Sequence, residues 1–339
     1  MTLQSAINKI LAKQDLTALE MTNIMQTIMT GGATDAQIGG FLIGLRMKGE
    51  TVVEITAAAK VMRQLASGVN LSGLKNTIDI VGTGGDSSGT FNISTASMFV
   101  AAAAGCIVAK HGNRSVSSNS GAADVLEAMG INLNLNSQQV ADCVAKIGLG
   151  FMFAPAHHSA MKHAIMPRKE MAVRTIFNVL GPLTNPAAVP NQLLGVFNKD
   201  LCRPLAEVLQ ALGSQHVMVV HSDDGMDEIS IAAKTQVCEL KNGGLTEYQI
   251  DPVDYGLAVA SLDDIKVANA DESLTMIQAV LDNQDIAAKN IVVINAGAAI
   301  YCAGLADNIK AGITLAQQVI ENGKAREKML ALIEFTKRF

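Results

Sequence analysis

The 339-residue sequence predicts an α/β protein: a helical amino-terminal subdomain followed by a larger α/β domain with a mostly parallel central sheet. Three observations predict it. The same helix-start signal recurs three times before residue 60. From Thr77 onward, short apolar runs alternate with helical patterns, the texture of a parallel sheet with helices on its faces. Two of those runs end in loops rich in glycine, hydroxyl and basic residues, where open α/β sheets hold ligands.

The amino terminus carries an amphipathic helix pattern. Thr17-Ala-Leu-Glu20, Thr34-Asp-Ala-Gln37 and Thr51-Val-Val-Glu54 then fit the capping box, in which a hydroxyl and a carboxylate or amide satisfy two orphan backbone donors. Gly31-Gly32, Gly49 and Gly68 stand where those helices should stop. Ile38, Phe41, Leu42 and Leu45 fall on one helical face. So short a bundle leaves apolar surface that the larger domain or a second subunit must cover.

After a polar linker, Gly68 to Lys75, strand Ile78 to Val81 leads through a glycine loop to a helix from about Ser94 to Ala104. Strand Cys106 to Ala109 leads through a basic loop to a helix from about Ala122 to Met129. A helix from Ser137 to Gly148 and a short strand Phe151 to Phe153 follow. From Ser159 to Val179 the pattern is helical, interrupted at Pro167, and it ends in the turn formers Leu180 to Pro186. This stretch is expected to pack back on the first helices, so that 1–70 and 159–186 form one unit, and 75–158 and 187–339 the other. Strands Leu193 to Phe197 and His216 to Val220 flank a helix from Lys199 to Leu212. Ile291 to Asn295 reads as a late strand before an alanine-rich helix, and a last helix runs from about Leu315 to Phe335.

Composition excludes several classes. With 49% apolar and 17% charged residues, the chain is core-forming rather than disordered. A net charge of -5 supplies no overall basic field for nucleic acid or an anionic membrane. The five cysteines are scattered without a CxxC, which argues against structural zinc and for reduced thiols. There is no signal-peptide core, and apolar runs such as Met98 to Ala104 are too short to span a bilayer. A cytoplasmic protein without nucleic-acid or membrane partners is expected.

Gly82-Thr-Gly-Gly85 lacks the third glycine of a dinucleotide loop and the Lys-Ser/Thr ending of a P-loop. Alone it reads equally as a tight turn. Its place between strand and helix, with Thr90, Asn92, Ser94 and Thr95 in reach, suits phosphate. Lys110 to Ser118 converges Lys110, His111, Asn113, Arg114 and three serines directly after an apolar strand, the chemistry of an anion cradle rather than a solvated loop. His221 to Glu228 holds four carboxylates, hard oxygen ligands that suit magnesium bridging substrate phosphates. By composition both Asp223-Asp224 and Asp227-Glu228 qualify, and a plain polar turn remains open. Arg168 or Arg174 would read a carboxylate through a bidentate fork if either lines a pocket. No nucleophile with a paired base stands out, which points to positioning and electrostatics rather than covalent catalysis.

These motifs in this order resemble the anthranilate phosphoribosyltransferase family over essentially the whole chain. The resemblance rests on Asp79 to Asp86, Asn92 to Thr95, Lys110 to Ser118, Arg168, Asn178 to Pro186 and Asp227-Glu228. It implies a helical domain hinged to an α/β domain, usually a homodimer through the helical parts. It also implies that phosphoribosyl pyrophosphate meets Gly82, Gly85, Asp86, Thr90, Asn92, Ile93, Ser94 and Thr95. The same donor would meet Lys110, His111, Gly112, Asn113, Arg114, Ser115, Val116, Ser117, Ser118 and Ala122. By the same resemblance Ser94, Asp227 and Glu228 serve Mg2+, two ions per subunit. Gly82, Asn113 and Arg168 face anthranilate, with His158 near its approach path. Ala122 departs from the family, which often has serine there.

Two other readings compete. A pyrimidine nucleoside phosphorylase has a similar fold and a lysine-serine phosphate loop but no diphosphate–magnesium site. A non-catalytic relative that binds nucleic acid would carry a basic dimer groove and degraded motifs. The GTGGD loop, Asp227-Glu228 and the acidic balance speak against both.

Overall fold

The computed structural model describes residues 1–115 and 120–339. Four helices open the chain: α1 (Leu3–Leu11), α2 (Ala18–Met29), α3 (Asp35–Lys48) and α4 (Val52–Leu65). The three capping boxes form as their sequences predict, with Thr17, Thr34 and Thr51 accepting from the third residue onward and Glu20, Gln37 and Glu54 closing the reciprocal bond. Glu54 does more than cap. Fully buried, it also accepts from Leu16 N at 2.9 Å and from Lys48 Nζ at 2.9 Å, tying three helical segments together.

The α/β part begins with β1 (Thr77–Gly82), α5 (Ile93–Ala103), β2 (Ile107–Gly112), α6 (Ala122–Ala128), α7 (Ser137–Ile147) and β3 (Leu149–Phe153). After the short α8 (Ala154–His157), α9 (Lys162–Met171) and α10 (Phe177–Leu180) make the helical return. α9 packs on α2 and α3. Pro167 lies inside α9 without ending it; the break comes at Ala172, whose φ of 49° turns the chain. Then come β4 (Asn191–Gly195), α11 (Cys202–Ala211), β5 (His216–Ser222), β6 (Thr235–Lys241) and β7 (Gly244–Ile250). Helices α12 (Ala270–Leu281), α13 (Ala287–Cys302), α14 (Ile309–Glu321) and α15 (Lys324–Thr336) complete the chain.

Among the described residues the sheet has seven strands in the order β3-β2-β1-β4-β5-β6-β7. β1 to β5 are parallel, and the β6–β7 hairpin adds an antiparallel edge. Asn242-Gly243, both with positive φ, form its two-residue turn. One sheet face packs on α5 and α13 with α12, α14 and α15 around them. The other packs on α11, and through α11 and α4 the same apolar cluster runs on into the helical bundle. No described helix is long and apolar enough to cross a membrane.

Two sequence expectations fail here. Ile291 to Asn295 is not a strand but the middle of α13, buried on all sides. A short apolar run cannot separate a buried strand from a buried helix, and the alanines after it favour the helix. The single carboxyl-terminal helix is two, α14 and α15, broken at Gly323 with φ of 77°.

Candidate active site

Parallel order places the carboxyl ends of β1, β2, β4 and β5 along one sheet edge, and the loops from all four meet there. β1 and β4 end side by side, with Gly82 paired to Gly195. Both glycines make room for Asp227. A Cβ on Gly82 would stand 2.5 Å from Asp227 Oδ2, and one on Gly195 would overlap the Asp227 carbonyl. Asp227 Oδ2 then accepts the Gly84 N–H at 2.8 Å, so the glycine loop folds over a carboxylate. Next to it, Glu228 Oε1 accepts from Ser94 N in the first turn of α5 at 3.2 Å. Asn295 of α13 braces this segment from behind, accepting from Ile229 N at 3.0 Å and donating to Ile229 O at 2.8 Å.

Lys110 lies in the same cluster, 2% exposed, its Nζ donating to Ile80 O and to Ser94 Oγ at 3.2 Å. Burial lowers the Lys110 pKa, against the pull of Asp79, Glu228 and Asp227. Burial, with Asp86 close by, pushes Asp227 up to about 7, and burial with Asp227 as neighbour pushes Glu228 up to about 8. One buried cation does not neutralise these acids. Two adjacent carboxylates and the Ser94 hydroxyl are hard oxygen donors that fit magnesium. Among the described residues no three His, Cys, Asp or Glu side chains form a fuller metal cage. An ion that takes its remaining ligands from phosphate and water needs no more. The rival pair is otherwise engaged: Asp224 accepts from Ser230 Oγ at 2.5 Å and from Met226 N at 3.2 Å, closing its own turn.

Not every expected donor points into this cluster. Ile93 is a core side chain, and its N–H donates to Phe91 O. Asn92 Oδ1 accepts from Ser273 Oγ at 2.7 Å and Ser120 Oγ at 2.9 Å, bracing the far flank of the basic loop. Thr90 shares a 3.1 Å hydroxyl contact with Ser88, while the Thr95 hydroxyl is buried without a described partner. Gly85 and Asp86 lie in the loop itself, where Asp86 Oδ1 accepts from Ser88 N.

In the basic loop, Asp124 Oδ2 accepts from both Ser115 N at 3.0 Å and Gly121 N at 2.9 Å, stapling the loop's two ends. Asn113 Oδ1 accepts from Arg114 N, and Gly112 packs against Phe151 and Ala122, whose methyl supplies no hydroxyl. The Arg114 guanidinium forks onto Glu127 at 2.7 and 2.9 Å and reaches Asp124, so it is paired on α6 rather than turned to the glycine loop. Val116, Ser117 and Ser118 lie outside the described residues. His111 sits over Asp79: its N–H donates to Oδ1 at 3.2 Å and its Nδ1 is 3.4 Å from Oδ2. Asn185 holds that carboxylate from the other side, donating to Asp79 Oδ2 at 2.8 Å and to Ala109 O at 2.9 Å.

His158 packs edge-on to His111, ring centroids 6.2 Å apart, and its Nε2 is buried without a described partner. Burial first, then the nearby His111 and His157, lower its pKa to about 4. The unfolded chain therefore takes up a proton between pH 6.5 and 4 that the folded chain refuses. The His158 contribution to stability is complete above about pH 6.5 and is lost as pH falls toward 4, on the order of 3 kcal/mol in all. His158→Gln should flatten the fall of the thermal midpoint over that window; an unchanged slope would contradict it.

Arg168 of α9 stacks on Phe177 with its guanidinium 5.1 Å from the ring centroid, and it has no carboxylate partner among the described residues. Burial lowers its pKa. A desolvated, unpaired guanidinium is a receptor for an anion.

Sequence reasoning missed Asp79 and Asn185 as a buried brace, Asp124 as the loop staple, and Gly195 and Asn295 as supports of Asp227-Glu228. Asp79 carried a signal, a carboxylate inside an apolar strand. Asp124, three residues after Gly121, sits at the N3 position of a helix start, a local signal. Asn185, Gly195 and Asn295 carried none, because their partners are remote in sequence.

Residues 4–66 match the helical bundle domain of a glycosyl transferase family, and residues 74–326 match its a/b domain. An anthranilate phosphoribosyltransferase of Marinomonas sp. (strain MWYL1) is 59% identical, covering 100% of this chain and 98% of its own length. The crystal structure of an anthranilate phosphoribosyltransferase from Thermus thermophilus superposes with a TM-score of 0.92 at 36% identity, covering 98% of this chain and 99% of that one. The Saccharomyces cerevisiae enzyme in complex with PRPP and Mg superposes with a TM-score of 0.91 at 26% identity, covering 99% of this chain and 98% of that one. The chain belongs to the anthranilate phosphoribosyltransferase family.

Proposed function

We propose that this chain transfers the phosphoribosyl group of phosphoribosyl pyrophosphate to the amine of anthranilate, a step of tryptophan biosynthesis. The products are N-(5-phosphoribosyl)anthranilate and pyrophosphate. The observation that carries the reading is the adjacent Asp227-Glu228 pair, held under the glycine loop and against Ser94, which Lys110 also contacts. A phosphorylase needs a single phosphate site; a carboxylate pair short of cations suits a metal-bound diphosphate.

In this reading the amine nitrogen attacks the anomeric carbon as the bond to the diphosphate oxygen breaks, and the nitrogen's proton passes to solvent or to the departing diphosphate. The aromatic amine is a weak nucleophile, so rate must come from the leaving group and from proximity. Magnesium, two ions per subunit held by Ser94, Asp227 and Glu228, supplies charge neutralisation to the diphosphate. Lys110 adds a fixed cation behind that site. The residues around the donor are Gly82, Gly85, Asp86, Thr90, Asn92 to Thr95, Lys110 to Ser118 and Ala122. Arg168 forks onto the anthranilate carboxylate, and Asn113 and the Gly82 backbone line the boundary of the two substrates. Neutral His158 offers Nε2 as an acceptor along the approach.

The helical unit, 1–70 with 159–186, closes on the α/β unit and shuts out water that would compete for the same carbon. Two chains pair through the helical units, covering exposed Leu11, Leu19, Met47, Val53 and Leu65, and the dimer works in the cytoplasm. A sedimentation mass of one chain would overturn the dimer, and an unchanged scattering radius on adding both substrates would overturn closure. For the reaction itself, the test is incubation with anthranilate, phosphoribosyl pyrophosphate and magnesium while following anthranilate fluorescence. Magnesium-dependent loss of fluorescence is expected; turnover of thymidine with phosphate instead would establish the phosphorylase.

A further inference from the structure

Arg174 is an arginine that the reading above leaves without a task. It lies between α9 and α10, in the helical return, yet its guanidinium reaches across to the α/β part. There Nη2 donates to Gly85 O, and Cζ stands 4.1 Å above the centre of the Phe197 ring, just beyond β4. Phe197 is itself joined to the glycine loop, its N–H donating to Thr83 Oγ1 at 3.0 Å. On the helical side the Arg174 carbonyl accepts from Arg46 Nη1 of α3 at 2.6 Å. Among the described residues the Arg174 guanidinium forms no ion pair with a carboxylate.

The glycine loop is thus pinned from two directions. Asp227 holds the Gly84 N–H from within the α/β part, and Arg174 holds the Gly85 carbonyl from the helical return. Gly84 and Gly85 both have positive φ, 68° and 76°, conformations that glycine does not itself enforce. The loop's shape therefore depends on what grips it. Across a planar trans peptide the carbonyl of Gly85 and the N–H of Asp86 point in opposite directions. Gripping the carbonyl aims that N–H to the side of the loop away from Arg174. The same residue's carboxylate lies near enough to Asp227 to raise its pKa.

We propose that Arg174 is a positioning residue of the donor site. It transmits the placement of the helical return, through Arg46 and α3, to the loop that receives the diphosphate. The loop is fully shaped only while the helical and α/β parts are in contact at this point. Arg174 acts through the Gly85 peptide; the acceptor carboxylate belongs to Arg168. The inference rests on the transferase reading.

The test is steady-state kinetics of full-length Arg174→Ala and Arg174→Lys with magnesium present, each substrate varied in turn, together with inhibition by pyrophosphate and thermal midpoints. Arg174→Ala should raise the KM for phosphoribosyl pyrophosphate and the inhibition constant of pyrophosphate by about tenfold, the worth of one charge-assisted hydrogen bond. The KM for anthranilate should stay within about twofold. Arg174→Lys keeps a cationic donor that can reach the carbonyl and should recover much of the loss. Equal shifts in both Michaelis constants, no shift in either, or a lysine variant no better than alanine would each overturn the proposal. A fall in thermal midpoint with the substrate ratio unchanged would overturn it too, as a structural role only. Wild-type protein that fails to consume anthranilate would defeat the transferase reading instead.

Discussion

Converting Asp227→Asn together with Glu228→Gln should lower kcat/KM for phosphoribosyl pyrophosphate by about a hundredfold or more, with loss of the magnesium dependence. The argument is electrostatic. Asp227 is buried and Glu228 half-buried; they are raised to about 7 and about 8 and placed where the glycine loop and Lys110 converge. Amides keep the shape and the Gly84 contact but cannot neutralise a divalent cation, so diphosphate would have to depart without that charge compensation. Anthranilate fluorescence followed over a magnesium titration reads the effect directly. Asp224→Asn is the control. It should lose only turn stability, since Asp224 is committed to Ser230 and Met226. A double variant with the wild-type rate and magnesium response would place the metal elsewhere.

Arg168→Ala should raise the KM for anthranilate roughly 30- to 100-fold while changing that for phosphoribosyl pyrophosphate only a few-fold. The estimate is about 2–3 kcal/mol for a bidentate, charge-assisted pair in a partly desolvated place. Arg168 is stacked on Phe177 and has no carboxylate partner in the described chain, so its removal breaks no internal ion pair. The loss should therefore fall on the acceptor, not on folding. Anthranilamide, which lacks the carboxylate, should bind the variant and the wild type alike. Equal effects on both substrates would remove Arg168 from the acceptor site. These outcomes would separate Arg168 and Arg174, close in sequence: the first is proposed to touch substrate, while the second donates to a carbonyl of the loop.

The parts of this protein legible in its sequence are those with local causes. Each threonine capping box needs only a helix's first turn, and all three formed. The strand–loop–helix alternation around Thr77 and Cys106 was equally readable, because apolar runs bounded by glycine leave few alternatives. The Asn242-Gly243 hairpin carries its signal in two residues, both with positive φ. Ile291 to Asn295 misled because a buried helix and a buried strand look alike over five residues. Of the site, motif order placed Gly82 to Asp86, Ser94, Lys110 and Asp227-Glu228, and the fold brings these together. Arg114 was expected at the phosphates, yet its fork is engaged by Glu127.

By itself the sequence determined the helical and α/β textures, the positions of the two loops, and the chemical types available to them. Only the tertiary structure decided which groups meet. Gly82 and Gly195 become neighbours because β1, with β2 on one side, takes the distant β4 on its other side, and that pairing makes the space Asp227 occupies. Asp79, Asn185 and Arg174 act on partners contributed by other strands and loops. Strand order is chosen by burial of whole faces, a property summed over the entire chain. No local window of residues carries it.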